Sequence, residues 1–224
     1  MTFLEICQRL RSEAGISGSG PTTVVSQTGE IGRVVEWALS AYEDIQNKHT
    51  TWEFLQEDFT FSTVDGTQSY APADVDLDDL GSWKTGDADL TIYSSVADEQ
   101  YLIYCMWENF KINYMFGSTR TQEGRPTIVT IKPDNAMLLW TIPDAVYTVT
   151  GEYYKKAQTM ALDADEPIIP SQFQMIIVWR GLMFYGAYSG DSSAYTHGER
   201  EYKNLLRKLE KEQLAAFNWG APLA

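Results

Sequence analysis

Cysteine is nearly absent: Cys7 and Cys105 are the only two in the 224 residues. That excludes a disulfide-rich scaffold. Both sit among apolar residues, which predicts two reduced, buried thiols of a protein made in a cytosol rather than a disulfide. Histidine is as scarce, with His49 and His197 alone. These four residues have no metal-ligand spacing, and both histidines are expected at the surface. Long hydrophobic runs are missing too. The longest strongly apolar run, Met175 to Trp179, falls far short of the ~20 residues that cross a bilayer. The start, Met1-Thr2-Phe3-Leu4-Glu5, has neither the charged nor the apolar region of a signal peptide.

Basic charge is in short supply: 17 Lys and Arg stand against 31 Asp and Glu, a net charge of -14. A free DNA binder needs a basic stripe that releases counterions from phosphates, and none is visible. The same balance argues against an anionic membrane surface as partner and favours a soluble subunit. No nucleophile elbow, P-loop or dinucleotide fingerprint occurs.

What is present is ordinary globular protein, 44% hydrophobic and 21% charged. The length suffices for one domain, or one domain plus a subdomain. Aromatic residues reach 13%, with 7 Trp and 13 Tyr, a level that fits a large core or an assembly interface.

Apolar spacing predicts an amphipathic helix over about 2–14, stopped by Gly15, then a flexible Gly/Ser loop over 15–23. A second helix starts near Thr28 as N-cap, with Glu30 in its first turn. Its stripe is Ile31, Val34, Val35, Ala38, Tyr42 and Ile45, and its end falls between Lys48 and Leu55. The pattern then switches to period two. Phe59 and Phe61, the Asp65-Gly66 turn and the return through Thr67 to Tyr70 predict a hairpin. Residues 72–100 hold Asp74, Asp76, Asp78, Asp79, Asp87, Asp89, Asp98 and Glu99 against one Lys84. They read as an acidic, loop-rich excursion with one or two short strands, such as Asp89 to Tyr93. Residues 101–117 read as a strand running into a short helix.

The stretch 124–156 is the most informative. Three β-branched and aromatic runs, Thr127 to Lys132, Ala136 to Trp140 and Val146 to Lys156, are separated by turns at Pro133-Asp134 and Pro143-Asp144. That pattern predicts an antiparallel meander with no reactive residue type at a sharp turn. After a linker, Ala161 to Pro170, Ser171 and Gln174 form a capping-box pair before a helix. Phe173, Ile176, Ile177, Arg180 and Phe184 share one face. Nearly every other position is apolar as well, so this helix is expected at the centre, with Val178 and Leu182 in the core. Gly190 and Asp191 break it. A last helix, Ser192 to about Ala216, places Tyr195, Tyr202, Leu205, Leu206 and Leu209 on one side. The expected fold is α+β. The N- and C-terminal helices, 1–56 and 160–216, form a helical bundle, and an antiparallel β-rich subdomain, 57–159, is inserted between them.

Asp74, Asp76 and Asp78 alternate as in a Ca²⁺ loop. An EF-hand also needs Gly at loop position six and Glu at twelve, and those positions hold Asp79 and Thr85. A solvated acidic loop is the expectation. No catalytic, metal or cofactor residue set is assigned, and no cofactor is expected.

Further motifs fill in the order. Trp52-Glu53-Phe54-Leu55 runs into Asp58-Phe59-Thr60-Phe61. Gly124-Arg125-Pro126, Lys132-Pro133-Asp134, Tyr147 to Tyr154, Ile177-Val178-Trp179-Arg180-Gly181-Leu182-Met183 and Glu201-Tyr202-Lys203 through Gln213-Leu214 follow. In this arrangement nearly the whole chain resembles the head-to-tail adaptor (connector) proteins of tailed bacteriophages. The shared motifs are structural ones. The resemblance implies a homo-oligomeric ring, usually dodecameric, docked under the portal of the DNA-filled head. Its partners would be the portal protein, a tail or nozzle protein, and itself. The helical part would face the portal and the β part the tail. DNA would pass through the channel without specific binding. The place would be the virion, at the head-tail interface, after assembly in the host bacterial cytoplasm, with no membrane partner and no enzyme activity. A tail terminator or head-completion ring protein is the alternative, and a tail-associated peptidoglycan hydrolase a minor one. The closing helices, 172–216, favour the adaptor.

The tail 217–224 carries Phe217, Trp219 and Leu223 beyond the last charged turn, with Gly220 and Pro222 stopping the helix. Large apolar groups at a chain end predict a docking element, and the resemblance makes the portal its partner. The competing expectation is that Phe217 and Trp219 fold back onto the subunit's own core.

The charge balance yields a direct test. In a gel shift at low salt, the isolated protein should leave duplex DNA unretarded, since like charge repels it. Tight, salt-sensitive retention would show that a basic surface had been missed.

Overall fold

In the computed structural model, which describes residues 1–86 and 88–214, Thr2 starts the first helix. Its hydroxyl accepts from the Glu5 N–H at 3.3 Å, and the Glu5 carboxylate accepts from the Thr2 N–H at 2.9 Å. This reciprocal pair satisfies two otherwise orphaned donors. The helix, α1 (Phe3–Glu13), is followed by α2 (Gly29–Asn47). Next come strands β1 (Gln56–Ser62), β2 (Ser69–Tyr70), β3 (Leu80–Trp83), β4 (Leu90–Tyr93), β5 (Gln100–Tyr101) and β6 (Ile103–Tyr104). Helix α3 (Trp107–Tyr114) leads to β7 (Ile128–Ile131), β8 (Met137–Trp140) and β9 (Thr148–Lys155). Helices α4 (Met175–Ser189) and α5 (Ser192–Gln213) follow. The fold is α+β. It divides into two units, Met1–Leu55 with the chain from Ala157 onward, and Gln56–Lys156.

In the helical unit α4 packs against α1, α2 and α5. Ile176, Ile177, Val178, Leu182 and Met183 are buried, with Val178 and Leu182 at 0% and 1% exposure. Arg180 is the one charged residue of α4, and it runs its guanidinium outward to Asp44 at 2.7 Å. Gly190 ends α4 in the left-handed conformation at φ 75°, and the Asp191 carboxylate then caps α5 through the Ser193 and Ala194 N–H groups.

The close approach of α4 to α5 rests on two glycines. A Cβ on Gly186 would lie 2.6 Å from the Tyr195 backbone nitrogen, and one on Gly198 would lie 2.9 Å from the Trp179 carbonyl. Each helix thus presents bare backbone to the other. Beyond this contact the α5 stripe differs from expectation: Tyr202, Leu206 and Leu209 are buried, while Tyr195 stays 39% exposed.

Three local expectations differ in this unit. The 15–23 loop is tied down: Gln8 donates to the Pro21 carbonyl at 2.9 Å, and Ile16 and Pro21 are buried. Thr28 stands at the N-cap of α2 but makes no side-chain cap bond. The capping box at Ser171 and Gln174 does not form either. Ser171–Phe173 make a 3-10 turn, and Gln174 is buried. Its amide donates to the Pro167 and Ile169 carbonyls and accepts from the Met1 ammonium at 2.6 Å. A buried amide must be satisfied on all sides, and this takes precedence over capping.

In the second unit, two sheets share one apolar cluster that includes Phe59, Phe61, Leu90, Ile92, Val129, Met137, Leu139 and Val149. One sheet runs β1-β9-β4-β5, with β3 also on β9, and the other runs β2-β8-β7-β6. All pairs are antiparallel except β6 with β7. The expected hairpin at Asp65-Gly66 is a turn without a paired ladder. β1 pairs with β9 from Gln56↔Tyr154 to Ser62↔Thr148, whereas β2 pairs with β8. The expected meander is correct for β7 and β8, paired from Ile128↔Trp140 to Ile131↔Met137, but β9 leaves for the other sheet. The reason is burial. Phe59, Phe61, Val149 and Tyr153 reach one core only when the turns carry the chain from sheet to sheet.

Alanine normally stabilises a helix relative to glycine by roughly 0.5–1 kcal/mol. At Gly198 the sign should reverse, with Gly198→Ala destabilising by about 1–3 kcal/mol through overpacking. Urea unfolding of the two proteins measures it, and a stabilised variant would mean α5 can move away freely.

Candidate functional site

The residues first singled out for docking, Phe217, Trp219 and Leu223, lie outside the described residues. The acidic stretch is described apart from Asp87, and its carboxylates diverge. Asp74 accepts from the Ala71 N–H at 2.8 Å, and Asp79 accepts from the Tyr153 hydroxyl at 2.9 Å. Asp76 sits at φ 57° with its side chain exposed. Among the described residues no group of His, Cys, Asp and Glu could hold a metal ion. None of the described helices is long and apolar enough to cross a membrane.

The cysteines part company. Cys7 is buried, and burial first, then the Asp163 charge, pushes its thiol up to about 12. Cys105, expected to be buried, is only half-buried at the end of β6. His49 binds Glu210 at 3.0 Å and meets the Trp52 ring edge-on at 4.9 Å. His197 does the same to Trp179 at 5.3 Å. His197 is exposed, as expected, and also meets the Arg200 guanidinium at 3.2 Å, whereas His49 is half-buried.

A cleft of about 610 Å³ in the second unit is lined by Asp58, Thr60, Lys84, Asp89 and Glu152. Lys84 sits between Glu152, to which it hydrogen-bonds, and Asp89 at 3.8 Å. The Glu152 bond, ahead of the neighbouring charges, raises the lysine pKa. The ammonium thus stays charged and is ion-paired in place.

The conspicuous surface is elsewhere, along β5, β6 and α3. Tyr101, Ile103, Met106, Ile112 and Phe116 are 64%, 66%, 67%, 72% and 77% exposed. Leu102, between β5 and β6, is buried, and its N–H donates to the Leu90 carbonyl at 2.9 Å. β6 is the end strand of its sheet. The Ile103 N–H donates to Thr127 and the Cys105 N–H to Val129, which leaves the Tyr104 peptide on the open edge.

The strip is held on rigid supports. Phe110 anchors α3 from beneath, and the rings of Trp107, Phe110, Tyr114 and Trp140 follow one another at 6.5, 5.4 and 4.7 Å. Ile112, two residues from Phe110, therefore faces the opposite side of the helix. The Trp140 indole donates to the Thr119 carbonyl at 3.0 Å, fixing the turn after α3.

Arg125 secures the approach to β5. Its guanidinium donates to the Ile92 and Asp98 carbonyls, both at 2.6 Å, and to the Asp98 carboxylate at 3.1 Å. It also lies 5.8 Å from the Tyr147 ring centre. Bonds from Ser94 and Ser95, and the Arg125 charge, hold the Asp98 carboxyl down at about 2.

This surface was not read from the sequence as a site. Its signal was present in Tyr101-Leu102-Ile103-Tyr104-Cys105-Met106, an apolar run longer than one buried strand face requires.

A family model, the SU10 adaptor protein, matches residues 1–224. The chain belongs to the SU10 adaptor protein family. It is a bacteriophage adaptor-type structural protein of the virion. Membership of an adaptor family implies interaction with portal and tail proteins in general. No curated protein matches the chain.

Lysine cannot reproduce the planar fork of Arg125. Arg125→Lys should leave a carbonyl unsatisfied and cost about 1–3 kcal/mol. The Asp98 part of this clamp, whose folded pKa is depressed, is complete above about pH 4 and is lost as the pH falls towards 2. Urea midpoints of the wild type and the variant at pH 5 and pH 7 should therefore differ by the same amount. Equal stability of the two proteins would show that the clamp does not hold the fold.

Proposed function

We propose that this protein joins the phage head to the tail as a homo-oligomeric ring under the portal. The ring, a dodecamer, lines the channel through which DNA passes. The family match over the whole chain carries this reading. The helical part faces the portal, the β part faces the tail or nozzle protein, and the apolar tail residues Phe217, Trp219 and Leu223 dock into the portal. The role is mechanical, without catalysis, cofactor or metal.

Two physical features support it. A ring of like subunits, each of net charge -14, multiplies a negative field that repels sliding DNA and does not grip it. The exposed apolar groups on the second unit are costly to leave in water and suit a protein that works inside an assembly. The ring assembles in the host cytoplasm and remains in the virion at the head-tail interface.

Deleting residues 217–224 tests the docking assignment. The truncated protein should melt within a few degrees of the full chain and fail to attach to portal-bearing heads. A truncated protein that unfolds, or that still docks, would refute the assignment.

A further inference from the structure

The charge of the second unit is sorted along the chain. Residues 72–100 carry eight acidic groups and Lys84, a net of -7. Residues 101–122 carry Lys111 and Arg120 against Glu108, a net of +1, which leaves -15 on the remainder of a chain of net -14. The apolar strip of β5, β6 and α3 lies within this second stretch. Unlike 72–100, this stretch carries no net negative charge that would repel an acidic copy, and within the second unit it is the one that also exposes a run of large apolar groups. Asp74, Asp76 and Asp78 are all exposed, so the complementary charge is also on the surface.

We propose that the strip of Tyr101, Ile103, Met106, Ile112 and Phe116 is a contact between copies of this chain, seated on the acidic 72–100 surface of the next copy. This rests on the ring reading above and names the surface that builds the ring. Burial of the apolar groups supplies the attraction; Lys111 is paired with Glu108 at 2.6 Å, which leaves Arg120 as the cation of the strip that favours an acidic face over a like one. Because the two faces are different parts of one molecule, the contact is head-to-tail. Such contacts propagate, and they form a ring where the rotation between copies closes, whereas a strip meeting its own twin would stop at two. The open edge of β6 fits the same role, because an unpaired apolar edge invites another chain unless it is covered. A neighbouring copy supplies that cover.

Photo-crosslinking from one position decides the matter. p-Benzoylphenylalanine replaces Phe116 in the full-length protein, an exposed position where an aromatic already stands. Light and ¹⁵N-labelled copies are mixed, bound to portal-bearing heads, irradiated and digested. The expected product joins residue 116 of one copy to a peptide within 72–100 of another, with mixed isotopes. Adducts to the portal or a tail protein, within a single copy, or from 116 to 116 would overturn the proposal, as would no adduct in head-bound protein. Each of those leaves the adaptor function standing, whereas protein that never binds heads counts against the function itself. The same irradiation of the concentrated free protein then still reads the copy-to-copy contact. As a second measurement, Phe116→Asp should melt at the wild-type temperature yet lose the copy-to-copy contact at concentrations where the wild type forms it. A Phe116→Asp protein that assembles normally would also overturn the proposal.

Discussion

The helical unit depends on how closely α5 can lie against α4. Helix α4 has only one charged residue, Arg180, so almost its whole circumference must be covered. Helices α1 and α2 cover two sides. The remaining side is closed by α5, a helix with few large apolar residues and many charges. Such a helix can seal a core only if it comes near enough to exclude water along a narrow stripe. Gly186 and Gly198 permit that distance by removing a side chain from each backbone where they cross. Tyr202, Leu206 and Leu209 then reach the core from a helix that remains polar on its other faces.

The polar interior follows the same logic. Gln46 and Gln158 exchange bonds, from the Gln46 amide to the Gln158 carbonyl at 3.0 Å and from the Gln158 N–H back at 2.8 Å. The Tyr42 hydroxyl accepts from the Ile168 N–H at 3.0 Å, and burial pushes its pKa up to about 12. These bonds fasten the irregular segment before α4 to α2. Segments without helix or strand cannot satisfy their own backbone, and here buried side chains supply the partners. Such satisfied networks specify one arrangement of a core that apolar contact alone would leave loosely defined.

In the β unit the governing element is β9, which pairs with β1, β3 and β4. Its neighbours come from distant parts of the chain, so the sheet is held by long-range contacts. The other sheet ends in the short strands β2 and β6, and its exposed apolar groups follow β6 directly. A free globular protein blunts such an edge with lysine or proline. That this chain leaves it apolar agrees with its membership of a family of adaptor proteins.

By itself the sequence determined the periodic elements. The stripe Val34, Val35, Ala38, Tyr42, Ile45 specified α2, the even apolarity of 175–189 specified a central α4, and Gly190-Asp191 specified the break before α5. Each is a local signal, carried by residues three or four apart. The alternation of Phe59 and Phe61 likewise identified a strand, and the Pro133-Asp134 turn identified the β7–β8 hairpin. Which strand each one joined was decided only by tertiary structure. Hydrogen-bonding edges are alike along every strand, and the choice of β9 for β1 was made by the core both must fill. Gln174 shows the same limit, since a capping residue and a buried amide look identical until burial is known. The exposed strip at 101–116 was not read from the sequence, although its apolar run is too long for one buried face. That Leu102 turns inward while Tyr101, Ile103 and Met106 turn outward depends on where the core lies, and the core is assembled from residues far apart in the chain.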